Sequence, residues 1–137
     1  MWAATRNRGL NERITPGEIG IFVRSDAELP RARAAAQVAG PPFAVLDEKV
    51  ELAAGRASIS TMHLSKGLEF RTVVVMACDD EVIPLQERIE TATDEGDFED
   101  FYATERHLLY VACTRARDRL LVTGVSPASE FLGDLQV

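Results

Sequence analysis

Three stretches of this 137-residue sequence concentrate the groups able to do chemistry. The first ends in Arg24, directly after the apolar run Ile19-Gly20-Ile21-Phe22-Val23. A guanidinium at that place is either a solvent-facing or ion-paired residue, or a planar fork of donors aimed at a phosphate. The second is Thr61-Met62-His63-Leu64-Ser65-Lys66-Gly67-Leu68-Glu69-Phe70, where a hydroxyl, an imidazole, an ammonium and a carboxylate crowd one turn. Thr61 and His63 have the hydrogen-bonding and stacking chemistry to meet a DNA backbone or base. Gly67 permits close approach of the backbone, and Glu69 can accept from ribose hydroxyls. An ordinary capped turn has the same composition. The third stretch, Thr104 to Ala116, closes on Thr114-Arg115. An arginine ending a helix either balances the helix dipole or reaches a neighbour's bound phosphate as a finger.

The sequence also excludes chemistry. It contains neither G-x-x-x-x-G-K-S/T nor G-x-G-x-x-G, so this chain is not expected to hold a nucleoside triphosphate and its magnesium alone. Ser65 lies near His63, but no third group completes a triad. Cys78 and Cys113 sit in apolar stretches and read as buried free thiols. Without a histidine cluster they make no zinc set, and no metal site is expected.

The elements that must position these groups alternate. Residues 1–17 read as a flexible lead-in, punctuated by Thr15-Pro16-Gly17. Strands are predicted at Ile19–Val23, Phe43–Leu46, Ser58–Met62, Thr72–Ala77 and Leu120–Thr123. An Ala-rich helix runs to Ala39, with Pro30 in its first turn and Gly40 stopping it. The longest helix candidate is Phe98–Ala116, whose apolar residues recur every three or four positions. A short terminal helix is expected from Pro127, capped by Ser126. This alternation is the signature of an α/β domain with a mostly parallel sheet, whose ligands bind at the carboxyl ends of the strands.

Net charge is −7, which by itself argues against nucleic acid. The acidity is local, however. Between Glu81 and Glu105 nine acidic residues face one basic residue, Arg88, so the remainder balances to +1. The block reads as a solvated loop with a short helix near Glu87. No apolar run approaches a membrane span and the first thirteen residues are polar and basic, so a cytoplasmic, membrane-free chain is expected.

In this order the three segments resemble the C-terminal half of the UvrD/Rep/PcrA-like superfamily 1 DNA helicases. Ile21 to Arg24 resembles motif IV, TMHLSKGLEF motif V and ERHLLYVACTRA motif VI, with RDRLLVTG as the following strand. The resemblance covers about residues 18–124. It implies a RecA-like, P-loop-NTPase-like three-layer domain lacking its own Walker A loop, spanning residues 18–137. It also implies that Arg24 and Arg115 reach the γ-phosphate of ATP, that Gly67 and Glu69 belong to the nucleotide site, and that Thr61 and His63 lie on the single-stranded DNA path. ATP and Mg2+ would be held mainly by an N-terminal RecA-like domain of the same polypeptide. This piece alone is then expected to be an inactive monomer. Many relatives insert a large helical subdomain between motifs IV and V, whereas only Asp47 to Ala57 separate the strands here. Asp79-Asp80 imitates a Walker B pair but reads as a strand-end loop. A non-catalytic RecA-like DNA- or protein-binding module is the alternative, and a helicase attached to a nuclease is a further one.

Overall fold

A computed structural model describes residues 2–7 and 14–135, and side chains from residue 14 onward. The apolar runs form one six-stranded sheet in the order β1-β6-β5-β2-β4-β3. Its members are β1 (Trp2–Asn7), β2 (Ile19–Val23), β3 (Phe43–Val45), β4 (Ala57–Thr61), β5 (Phe70–Val75) and β6 (Ala116–Gly124). Strands β2 to β6 are mutually parallel, as the sequence reading requires. The helices are α1 (Leu29–Ala39), α2 (Gln86–Glu90) and α3 (Glu95–Thr114).

Alternation along the central strands creates two cores. Phe22, Val73, Val75 and Val122 pack with Leu109 and Ala112 of α3 and with Phe131 and Leu132 near the C-terminus. On the opposite face Ile21, Val23 and Ile59 pack with Ala32 and Ala36 of α1. Successive side chains of a strand point to opposite faces, so β2 serves both cores and helices cover both sides. Pro30 falls within the first turn of α1, and Gly40 ends it in the left-handed region at φ 103°. Cys78 and Cys113 are buried and form no disulfide among the described residues. Among the described residues no helix is long and apolar enough to cross a membrane.

Three parts of the sequence reading need correction. Trp2–Asn7, inside the segment read as a flexible lead-in, is an antiparallel strand on β6, with Trp2 opposite Gly124 and Asn7 opposite Arg119. A sheet edge carries a row of unpaired donors and acceptors that any extended segment can satisfy, whatever its composition. Residues 8–13 of that lead-in lie outside the described residues. The terminal helix does not begin at Pro127. It is a 3-10 helix over Glu130–Leu135, and Asp79 and Ala128 form an isolated bridge before it. The acidic block holds less loop than a solvated loop requires: α2 is the short helix expected near Glu87, but α3 begins at Glu95, ahead of the expected Phe98, with Asp94 capping it by accepting from the Asp97 N–H at 2.8 Å.

Asp79 closes the loop that follows β5. Its carboxylate accepts from Arg31 of α1 at 2.6 Å and from the Val125 N–H at 2.7 Å. Burial pushes the carboxyl up, but the Arg31 hydrogen bond, the Val125 N–H and the Arg31 charge together hold it below its ordinary value of 3.8. The reading of Asp79-Asp80 as a strand-end loop agrees with these contacts.

Candidate nucleotide and nucleic-acid faces

Strands β2 and β4 are neighbours in parallel, with Val23 opposite Thr61. Arg24 and the turn after Thr61 therefore leave the sheet side by side at its carboxyl edge, where open α/β sheets bind ligands. Met62–Leu64 form a 3-10 turn. The buried Ser65 hydroxyl donates back to the Met62 carbonyl at 2.8 Å, which fixes the start of the following loop. Gly67 then takes φ +82°, a left-handed conformation that glycine adopts without strain, and adds no side chain to the surface there.

This turn divides two cavities. On one side a cavity of about 680 Å³ is lined by Arg24, Thr61, His63 and Leu64, with Asp47 and Lys49 from the connector between β3 and β4. On the other a cavity of about 510 Å³ is lined by Ser65, Lys66 and Gly67 and, from α3 and its end, His107, Val111 and Arg115. The two arginines singled out by the sequence thus face different cavities. Arg24 is grouped with Thr61 and His63, and Arg115 with Gly67. Glu69 is exposed at the end of the turn and lines neither cavity.

Their surroundings also differ. Arg24 is only 3% exposed. Its Nε donates to Glu105 Oε1 at 2.9 Å and its Nη2 to Glu105 Oε2 at 2.6 Å, while Nη1 lies 3.2 Å from His63 Nε2. Glu105 is fully buried on α3. Its Oε1 also accepts from the Leu85 N–H at 2.6 Å, and Arg88 Nη1 stands 4.0 Å from Oε2. Arg115, half-buried at the C-cap of α3, donates Nε to the Val111 carbonyl at 3.2 Å and Nη2 to Thr114 Oγ1 at 3.1 Å. It forms no salt bridge among the described residues, so its charge is not neutralised by a carboxylate. The bland role expected of a helix-end cation and a reach toward a bound anion are compatible here, because Nη1 has no partner among the described residues.

Glu105 is the residue that sequence reasoning missed, because it was counted in a block read as solvated. Its signal was present. Phe98, Tyr102, Glu105, Leu109, Ala112 and Ala116 follow one another at spacings of four and three, so Glu105 sits in the apolar stripe of α3. A carboxylate there must find buried partners.

The sequence model of the UvrD-like helicase C-terminal domain family matches residues 44–126. The chain belongs to this family. Among its relatives, a putative ATP-dependent DNA helicase of Bacillus subtilis, YjcD, is 46% identical over 67 residues, which is 47% of this chain and 8% of that protein. The ATP-dependent DNA helicase UvrD1 of Mycobacterium tuberculosis is 38% identical over 100 residues, covering 65% of this chain and 12% of the relative. The ATP-dependent DNA helicase PcrA of Bacillus subtilis is 31% identical over 103 residues, covering 66% and 13%. The chain thus corresponds to roughly a tenth of the length of these relatives. A crystal structure of the C-terminal domain of a possible DNA helicase from Lactobacillus plantarum superimposes with a TM-score of 0.55 at 27% identity, over 84% of this chain and 60% of that one. Motifs V and VI of this UvrD-like C-terminal domain lie within the matched span. Arg24 lies outside it, and its place beside His63 is a matter of the fold.

Proposed function

We propose that this chain is the second motor domain of an ATP-dependent DNA helicase, with one face for nucleotide and one for single-stranded DNA. The observation that carries the reading is the pair of cavities on either side of the Met62–Gly67 turn, one bordered by Arg115 and the other by Thr61 and His63. Arg115, Gly67 and Glu69 would meet the nucleotide. The Arg115 guanidinium suits a phosphate because it is partly exposed and carries no carboxylate partner among the described residues. Thr61 and His63 would meet the DNA strand. The expectation of two arginines at the γ-phosphate narrows to Arg115, because the fork of Arg24 is engaged by Glu105.

ATP bound between two motor domains supplies the free energy of phosphoryl transfer. No group of three or more His, Cys, Asp or Glu side chains among the described residues is arranged to hold a metal ion. Because the sequence has no G-x-x-x-x-G-K-S/T loop, magnesium and the phosphate grip fall to an ATP-binding domain of the same polypeptide. Arg115 would stabilise charge developing on the phosphate when the cleft closes. Arg115 is the C-cap of α3, and α3 packs against the Met62–Leu64 turn that carries His63.

The test is ATP hydrolysis, stimulated by single-stranded DNA, by this chain alone and by the chain joined to an ATP-binding motor domain. Hydrolysis only in the joined form is expected. Hydrolysis by the chain alone would refute the division of labour, and DNA binding with no hydrolysis in either form would favour a non-catalytic binding module.

A further inference from the structure

Glu105 lines neither cavity, yet its carboxylate is fully buried and accepts three hydrogen bonds beside them. Arg24 grips both of its oxygens, and the Leu85 N–H fixes Oε1 from a second direction. A bidentate pair of this kind leaves the guanidinium plane little freedom. The consequence falls on Nη1. It is aimed at His63 Nε2 across 3.2 Å. Arginine is a donor only, so the imidazole must accept at Nε2. A ring that accepts there is neutral and carries its proton on Nδ1.

We propose that Glu105 is a positioning residue which, through Arg24, holds His63 as the Nδ1–H tautomer beside the cavity shared with Thr61. The ring is thereby turned from an exposed, freely rotating group into an oriented donor. The partner that such a donor suits is an acceptor-rich strand, a phosphodiester oxygen or a base acceptor. The DNA part of this inference rests on the proposed function; the tautomer part does not. The arrangement also ties the DNA-facing turn to α3, the helix that carries Arg115 at its end.

The sequence has two histidines, so the test contains its own reference. Long-range nitrogen–proton correlation spectra of the 137-residue chain in alkaline buffer read the tautomer of each ring. His63 is expected to be mainly Nδ1–H in the unaltered chain. In Glu105→Gln and Arg24→Lys it is expected to become mainly Nε2–H, the ordinary preference of a free imidazole. The exposed His107 should keep one signature throughout. A majority Nε2–H form of His63 in the unaltered chain overturns the proposal, and this result needs no variant to fold. An unchanged tautomer in folded Glu105→Gln overturns it as well. In parallel, binding of a fluorescein-labelled oligothymidylate is followed by anisotropy, and Glu105→Gln should weaken it about tenfold, the equivalent of about 1.4 kcal/mol. If the unaltered chain does not bind the oligonucleotide while His63 is Nδ1–H, the DNA reading falls and the positioning of His63 stands.

Discussion

Arg24 and Glu105, one after β2 and the other midway along α3, meet as a buried fork-to-carboxylate pair with contacts of 2.9 Å and 2.6 Å. The pair joins the carboxyl edge of the sheet to the helix that covers it. A buried pair of this kind contributes little net stability over a well-packed apolar substitute, but removing one partner leaves an uncompensated buried charge.

Glu105→Ala is therefore expected to lower the unfolding free energy by about 3–5 kcal/mol, read from urea denaturation. The double replacement Arg24→Met with Glu105→Leu should cost less than Glu105→Ala alone, since no charge remains stranded. Equal or greater loss in the double variant would show that the pair itself, and not the stranded charge, carries the energy.

Arg115→Ala is expected to leave the fold nearly unchanged, because the side chain makes no salt bridge among the described residues and is only half-buried. In the polypeptide that carries an ATP-binding domain it should reduce ATP turnover by a factor on the order of 10³, as for other phosphate-reaching arginines. Wild-type turnover would remove Arg115 from the nucleotide site.

Asp79 makes stability depend on acid pH. Its folded-state pKa lies below the ordinary 3.8. A depressed carboxylate contributes stability that is present above its unfolded value and is lost as pH falls through the folded value. Asp79→Asn should lower the melting temperature at neutral pH, by the equivalent of about 1 kcal/mol or less, because Arg31 is partly exposed and solvent screens the pair. The gap to the unaltered protein should close as pH drops below about 4. A gap independent of pH would separate Asp79 from the acid transition.

Cys78 should be chemically silent in the native state. It is fully buried, and burial first, with Cys113 and Asp79 adding to it, pushes the thiol well above its ordinary value. The thiolate is the reactive form. Iodoacetamide should leave Cys78 unmodified by mass spectrometry until denaturant is added, and alkylation of Cys78 in the folded chain would contradict its burial.

The sequence by itself determined the class of fold, the parallel strands and the motifs that identify the family. These are local signals. Buried strands show as short β-branched runs bounded by turns, and motifs V and VI are contiguous strings. Pro30 and Gly40 bracket α1 through backbone sterics alone. What only the tertiary structure decided is which residues meet. Strand pairing put Arg24 beside Thr61, and the packing of α3 brought Glu105 to Arg24 while leaving Arg115 at another cavity. The acidic block hid a core residue because net charge adds groups without regard to the helix face they occupy. The strand at Trp2–Asn7 was illegible because what holds it is the open edge of β6, a backbone demand that its own side chains do not announce. Pairing and burial depend on partners distant in the chain, so they enter only when the chain closes on itself.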